Sequence, residues 1–532
     1  MAKSNIEVNL DALIQREDFD IEETGAAKSA AQQGKELYIQ TLIPEERLAN
    51  LRKPDFQRET SSWTPEIVYE FILSVADADV IPALILWRSP ISGKSFVIDG
   101  AHRLSAVIAW INNDYGDGEI SKAFYGNSIP SEQLEAAEKT RNLIESNIGK
   151  FAVLKGLSVK KDAPNPVAER RSNNILSVPL SIQAIEGDAQ AAERSYKRIN
   201  STAVAINRQE LRLIDSRRYP VGIATRALMR AGTGYEYWSQ FPEPTKSDIS
   251  KTAALIYNEL IAPIAEYPGV ALDLPTKRGI GPTSLATILD LVEILNSPIR
   301  NAEKDTEGRE TLKYLERVQR ATERVFGKSH IGSLALHPAL YCYDAKGKFV
   351  GKAFIGAIQF VIDLIKKDKV FSFTEQREKF EDFLIEHRHL ISQIGKTQGS
   401  GGKRGVPAVV ALYWSIFDAC VAGLEGDRIV EKLKDYPALK FLDWEKPVEI
   451  PTGKKASAAD KAQAVIKQAL DGDICTECRG RMYIKDRSID HVTRLVDGGK
   501  SVASNLIPIH PYCNTGFKEK KLHLQSIGER NG

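Results

Sequence analysis

The stretch that decides how this chain is read is CTECRGRMYIKDRSIDHVTRLVDGGKSVASNLIPIHPYCNTGFKEKK, residues 475–521. Cys475 and Cys478 form a C-x2-C knuckle, and His510 and Cys513 repeat that spacing after 31 intervening residues. Three thiolates and one imidazole make a Cys3His set, which suits tetrahedral structural Zn2+ with no open coordination position. A lone C-x2-C carries little, because redox and incidental pairs share it; the second knuckle favours a metal. The competing reading has His510 capping a helix while water or another residue completes the site. Between the knuckles lies a second set that zinc does not need. Asp490-His491 follow a β-like run, Asp497-Gly498-Gly499 can make a tight turn, Asn505 precedes the second knuckle, and Asn514 directly follows its last Cys.

That order of elements resembles the HNH (ββα-metal) nuclease family: C-x2-C, DH, a GG turn, NL, and a second knuckle followed by Asn or His. The resemblance covers about 50 residues and implies hydrolysis of DNA phosphodiesters. A neutral imidazole with a pKa near 6.5 suits deprotonation of the attacking water, which makes His491 the general base. The scissile phosphate and the leaving 3′-oxygen need a divalent cation, Mg2+ or Mn2+, and the family pattern gives Asp490 and Asn514 as its ligands. Asn505 holds the catalytic loop and orients the His ring in this family. His510 stands where Cys is more usual, a departure that zinc accepts.

Charge agrees with a polyanionic substrate only locally. Lys plus Arg is 72 and Asp plus Glu 70, a formal net of +2 over 532 residues. From Cys475 to His523, however, nine Lys/Arg face five Asp/Glu, while residues 1–50 carry ten Asp/Glu against five Lys/Arg. A basic segment on a near-neutral chain fits DNA at that segment, although a solvated basic tail has the same composition. Five Cys are too few for a disulfide-stapled secreted protein. Cys342 and Cys420, among aromatic and apolar neighbours, read as core thiols. The N-terminus has no apolar signal core, and no run reaches the ~18 apolar residues of a membrane span, so a cytoplasmic protein without a membrane partner is expected.

Length allows roughly three domains at the usual ~150 residues each, and the expected class is α+β multidomain. An acidic lead of one or two amphipathic helices spans 1–50, an α/β domain 51–215, a helical domain 216–450, a linker 451–470 and the nuclease domain 471–525. In the α/β domain, TPEIVYEFILSVADAD reads as a helix from Thr64, IPALILW and KSFVIDG as strands, SEQLEAAEKTRNLIESN as a helix and FAVLKGLSV as a strand. YKRINSTAVAINRQELRLID reads as a short loop carrying Asn200 ahead of a helix, and TQGSGGKRG (397–405) as a flexible basic loop without P-loop spacing. Trp63, Trp87 and Trp110 are expected in the core, and His330, His337, His387 and His389 have no partner set at ligand spacing.

VIDGAHRLSAV (97–107) places Asp99, Gly100, His102 and Arg103 where a strand gives way to a helix. Free N–H groups and the positive dipole end favour an anion there, phosphate being the common one. By itself D-G at a turn is ordinary. With PDFQR (Gln57, Arg58) before it and YKRIN (Asn200) after it, residues 50–215 resemble the DGQQR/DGQHR-domain family, whose fold is similar to the ParB nucleotide-binding core. That family forms the N-terminal half of GmrSD-type type IV restriction enzymes and of SspE-type phosphorothioate-sensing proteins. The resemblance implies a nucleotide site at Gln57, Arg58, Asp99, Gly100, His102, Arg103 and Asn200, and NTP hydrolysis coupled to a C-terminal nuclease. Ala101 replaces the family's middle Gln, and a methyl group cannot hydrogen-bond a nucleotide or a water, so the sequence supports NTP binding better than hydrolysis.

Three functions remain open on the sequence. The first is an HNH endonuclease of restriction or anti-phage defence whose N-terminal domain senses nucleotide or modified phage DNA. The second is an HNH nuclease with a DNA-recognition domain that is no NTPase. The third is a ParB-like DNA-binding regulator with a structural zinc module that does not cut. Nicking against double-strand cleavage, and with it a homodimer, also stays open.

Overall fold

The computed structural model describes residues 7–19, 35–43, 48–57, 59–125, 129, 131–160, 163–177, 179–202, 208–260, 282–298, 303–327, 330–344, 349–397, 402–445, 458–483 and 487–531. They form two compact units, residues 1–242 with 279–282, and residues 243–278 with 283–532.

The first unit is built on a six-stranded mixed sheet of β1 (Arg16–Glu17), β2 (Glu36–Tyr38), β3 (Leu51–Pro54), β4 (Leu84–Arg88), β5 (Ser95–Asp99) and β6 (Pro179–Ile185), in the order β1-β3-β5-β4-β6-β2. Pairing is parallel for β1 with β3, β3 with β5 and β4 with β6, and antiparallel for β4 with β5 and β2 with β6. Alternation along β5 assigns its side chains to two cores: Val97 joins one, Phe96 and Ile98 the other. Leu84 and Leu86 of β4 likewise oppose Trp87. The first core is closed by helices α1 (Pro65–Ala76) and α2 (Ala101–Asn112) through Val68, Ile72, Leu104, Val107 and Ile108. The second is closed by α3 (Ala189–Thr202) through Ala192 and Tyr196. Both faces are therefore covered, as a largely parallel sheet requires.

Several expectations are corrected. The acidic lead does not form helices over described residues 7–19 and 35–43; it supplies β1, β2 and two 3-10 turns, Asp11–Leu13 and Ile39–Leu42. Its Asp11 is buried against Arg16 at 2.9 Å and Lys53 at 2.6 Å. Burial alone would raise that carboxyl; the coulombic fields of Arg16, Lys53 and Arg230 more than reverse it and hold it well below the usual range. FAVLKGLSV is the helix Phe151–Lys160, not a strand. Asn200 belongs to α3 rather than to a loop.

The second unit is helical around α4 (Gly351–Lys366), α5 (Arg377–Glu386) and α6 (Gly402–Val421). Gly356 lets α4 approach α6 closely, since a Cβ there would lie 2.5 Å from Val409 Cγ1. Phe360, Phe373, Phe380, Tyr413 and Phe417 interlock edge-to-face or stacked at this crossing. Cys342 and Cys420 are buried. Residues 402–405 of the expected basic loop form the first turn of α6, and 398–401 lie outside the described residues. Of the expected linker, 458–470 is helix α7 (Ala458–Leu470) and 451–457 lies outside the described residues. The chain ends in an antiparallel pair, β7 (Ser488–His491) with β8 (Leu506–Ile509), a π-helical turn Cys513–Phe517 and helix α8 (Lys518–Asn531). No described helix is long and apolar enough to cross a membrane.

Candidate active site

The two knuckles converge. One ligand atom from each of Cys475, Cys478, His510 and Cys513 lies within 4.8 Å of the others, and all four residues are buried. His510 Nδ1 stands 3.3 Å from Cys478 Sγ and 4.0 Å from Cys513 Sγ, bracketing the roughly 3.5 Å that ordinary Zn–S and Zn–N bonds at a tetrahedral angle would impose. The other ring nitrogen, Nε2, lies 3.1 Å from the Arg481 carbonyl. A proton on Nε2 donated there leaves the Nδ1 lone pair free for a metal, the usual arrangement of a ligating histidine. Burial, then the nearby Arg377, lowers the His510 pKa and favours the neutral ring a metal takes. The three thiols share protons: hydrogen bonds from Cys478 and Cys513 hold Cys475 as the thiolate, while Cys478, hydrogen-bonded to Cys475, is pushed up to about 12. A divalent cation would relieve that competition by accepting all three as thiolates. The residues present fit a structural metal ion such as zinc.

The ββα segment carries the second set. Asp490 and His491 end β7, opposite Ile507 and Leu506 of β8, and both are half-buried. Asp490 Oδ1 accepts the His491 backbone N–H at 2.8 Å, and Oδ2 accepts from Lys518 Nζ at 2.6 Å. His491 Nε2 meets Ser501 Oγ at 2.9 Å, so the partner of the imidazole is Ser501 rather than Asn505. Asn505 acts on the loop instead: Nδ2 donates to the carbonyls of Thr493 and Lys500 at 3.0 and 2.9 Å, and Oδ1 accepts the Thr493 N–H at 2.8 Å. Within that loop Gly498 takes a left-handed φ of 86°, and a Cβ on Gly499 would lie 1.9 Å from the Thr493 carbonyl oxygen. The GG turn is therefore a steric requirement. Asn514 donates to Ser488 Oγ at 2.7 Å and to the Ile489 carbonyl at 3.3 Å, which sets it beside the strand bearing Asp490. A carboxylate and a carboxamide are the kind of hard oxygen donors that Mg2+ or Mn2+ prefers; here the Asp490 carboxylate is taken by the Lys518 ammonium.

At the N-terminal motif, Gly100 has φ 92° and caps α2; a Cβ there would lie 2.5 Å from Leu84 Cδ2. Gln57 is buried, its Nε2 donating to the Ile98 carbonyl at 3.4 Å while its Oε1 has no hydrogen-bond partner among the described residues. His102 Nε2 lies 2.9 Å from Ser62 Oγ, and its ring stacks on Trp63 at 5.5 Å. Asp99 and Arg103 pair with each other at 2.6 Å, and the Arg103 guanidinium also meets the Pro82 carbonyl. Gln57, Asp99, Gly100, His102 and Arg103 thus gather around the β5–α2 junction. Arg58 and the side chain of Asn200 lie outside the described residues.

Sequence reasoning did not single out Ser501, Lys518, Arg377 or Glu381. Lys518 follows Asn514 by four residues, a spacing that could have flagged it. Arg377 and Glu381 lie about a hundred residues before the knuckles and left no local signal.

Two family matches, one over this segment and one over the first unit, set the class: the chain is a DNA-cleaving enzyme, and its HNH segment carries the Cys3His cluster. Residues 475–519 match the family described as HNH endonuclease, and residues 39–214 match GmrSD restriction endonuclease, N-terminal domain. Together the two matches fit a GmrSD-type restriction enzyme. No curated protein and no solved structure gives a match.

Proposed function

We propose that the protein is a divalent-metal-dependent DNA endonuclease of restriction or anti-phage defence, whose N-terminal domain senses a nucleotide, modified DNA or both. The observation that carries the nuclease chemistry is the placement of Asp490-His491 at the end of β7, with the following loop tied by Asn505. His491 is the general base. In the tautomer whose Nε2–H donates to Ser501 Oγ, 2.9 Å away, Nδ1 would accept the proton of the attacking water. Asp490 and Asn514 would hold Mg2+ or Mn2+, which supplies charge neutralisation at the scissile phosphate and the leaving 3′-oxygen. A zinc ion held by Cys475, Cys478, His510 and Cys513 would be structural, since these four ligands would leave no open position.

The sensing role is supported by the β5–α2 junction, where the buried Oε1 of Gln57 has no donor among the described residues and Arg103 lies beside the helix N-terminus. Ala101 argues for binding rather than turnover of an NTP, in a ParB-like site. Arg103 is paired with Asp99, so an incoming phosphate must compete with that carboxylate.

Plasmid nicking with Mg2+ or Mn2+, on modified and unmodified DNA and with and without NTP, is the direct test. His491→Ala should lower cleavage by roughly 10²–10⁴-fold while zinc content stays unchanged. Cleavage at the wild-type rate by that variant would remove His491 as the base. Absence of cleavage by the wild type on every substrate would favour the non-cutting regulator.

A further inference from the structure

Both carboxylate oxygens of Asp490 are occupied from within the chain: Oδ1 by the His491 N–H, Oδ2 by the Lys518 ammonium at 2.6 Å. Lys518 Nζ also reaches the His491 carbonyl at 3.5 Å. The pair is shielded, with the side chains 19% and 14% exposed for Lys518 and Asp490, respectively; it is therefore less screened than a surface ion pair. The neighbouring cations are engaged elsewhere: Arg494 pairs with Glu519, Lys520 lies over the Phe371 ring and Lys521 over Phe517.

Local structure delivers Lys518 to this place. It is the first residue of α8 and follows directly on the π turn Cys513–Phe517. A π turn inserts about one residue into the helical repeat and rotates everything after it, a device that recurs at functional sites. Gly516 lets the Tyr512 ring lie against this turn, since a Cβ there would lie 2.5 Å from Tyr512 Cε2. Asn514 and Lys518, at the two ends of this turn, both reach β7, one at Ile489 and the other at Asp490.

We infer that Lys518 is a built-in counter-ion of Asp490, a positioning residue that holds the carboxylate aimed until a divalent cation displaces it. This rests on the reading of Asp490 as a metal ligand. An ammonium and a dication cannot both contact one carboxylate oxygen without strong repulsion at that separation. Cation entry is therefore coupled to movement of Lys518. A polyanion is the natural acceptor for the released ammonium, so DNA binding and metal binding should strengthen each other.

The experiment is Mn2+ titration of the zinc-loaded full chain, with free Mn2+ followed by electron paramagnetic resonance, with and without uncleavable duplex DNA. Lys518→Met should bind Mn2+ at least tenfold more tightly than wild type without DNA, and DNA should tighten Mn2+ binding less than it does in wild type. Lys518→Arg should restore both wild-type behaviours. Lys518→Gln, with zinc content as the folding control, repeats the comparison if the Met variant loads zinc poorly. Mn2+ affinity within twofold of wild type in both neutral variants overturns the inference while leaving Asp490 as a ligand. Wild-type Mn2+ affinity in Asp490→Asn overturns the ligand reading itself, and the inference with it.

Discussion

The Arg377 guanidinium and the Glu381 carboxylate meet at 2.7 Å, both entirely shielded from solvent, one turn apart on α5. Arg377 donates to the carbonyls of Leu334 and Ala335 at 2.7 and 3.3 Å. Glu381 accepts Tyr341 Oη–H at 3.1 Å and, from the first knuckle, the Arg481 N–H at 2.6 Å. Gly480 packs so closely on Arg377 that a Cβ would lie 2.4 Å from Nε. The coulombic influence of the guanidinium also reaches Cys478 and His510. The metal knuckle is thus seated on a buried ion pair of the helical region, and the two form one compact unit.

Removing one partner of this pair leaves the other charge buried and uncompensated, which costs about 3–5 kcal/mol in comparable sites. Glu381→Ala should therefore lower the thermal midpoint of the second unit and release the knuckle, whereas a double Arg377→Met, Glu381→Leu variant should lose less stability. Calorimetry of the three proteins decides it. Equal losses in the single and double variants would show that packing, not charge, carries the effect.

Metal removal should be felt well beyond the ligands. Folding energy of structural zinc sites is largely metal-binding energy, and here the knuckle backbone is tied to α5, to Ser333 through the Tyr512 N–H at 3.0 Å, and to Ile331 through Thr515 Oγ1 at 2.7 Å. A strong chelator, or Cys478→Ser, should lower the unfolding midpoint of the helical region together with that of the nuclease segment. Calorimetry with zinc analysis reads both. A helical transition that stays in place after zinc is lost would show the docking to be energetically slight.

What the sequence revealed and what it hid divide along the range of the contacts involved. The Cys3His set was legible because its ligands come as two knuckles of fixed local spacing. Asn505 and the GG turn were legible because the loop they close spans residues 493–505. FAVLKGLSV was misread: its β-branched valines suggest a strand, but Gly149 at φ 110° ends the preceding helix and Phe151 and Leu154 reach the core at helical spacing. Strands β1 and β2 were invisible because short edge strands gain their stability from partners elsewhere in the chain, here β3 and β6. Arg377 and Glu381 were not singled out, because only the tertiary structure brings the knuckle to them.

Stability should fall in mild acid through His337. Burial, opposed by Glu381 and reinforced by Arg377, Arg388 and His510, lowers its pKa from 6.5 to about 4. Its Nδ1 accepts the Ala339 N–H at 3.2 Å, a bond that needs the unprotonated nitrogen, and its ring meets the edge of Tyr483 at 5.5 Å. Because the folded value is depressed, the unfolded chain takes up the proton first as pH falls. The contribution is complete above about 6.5 and is lost between there and about 4, on the order of 3 kcal/mol at most. His337→Asn keeps a capping oxygen without the titration. Urea midpoints measured between pH 7.5 and 5 should fall more steeply for the wild type than for this variant. Parallel curves would assign the acid sensitivity to other groups, the metal ligands first.

Asn505 offers a test of loop order separate from proton transfer. Its side chain makes three hydrogen bonds to the backbone of Thr493 and Lys500, and its own carbonyl accepts the Val492 N–H at 2.9 Å. Asn505→Ala removes the first three and keeps the last, so β7 and β8 should stay paired while residues 493–500 loosen. Ser501, the partner of His491 Nε2, directly follows that segment, so the ring loses its fixed orientation. The turnover number on plasmid DNA should drop by about 10²-fold, the scale at which small misplacement of a reacting group is felt. Zinc content and melting temperature should change little, because the affected loop is exposed. Asn505→Asp should rescue poorly: its carboxylate can accept the Thr493 N–H but cannot donate to either carbonyl. An Asp variant as active as wild type would show that the two donated bonds are dispensable, and an Ala variant as active as wild type that loop order does not depend on Asn505.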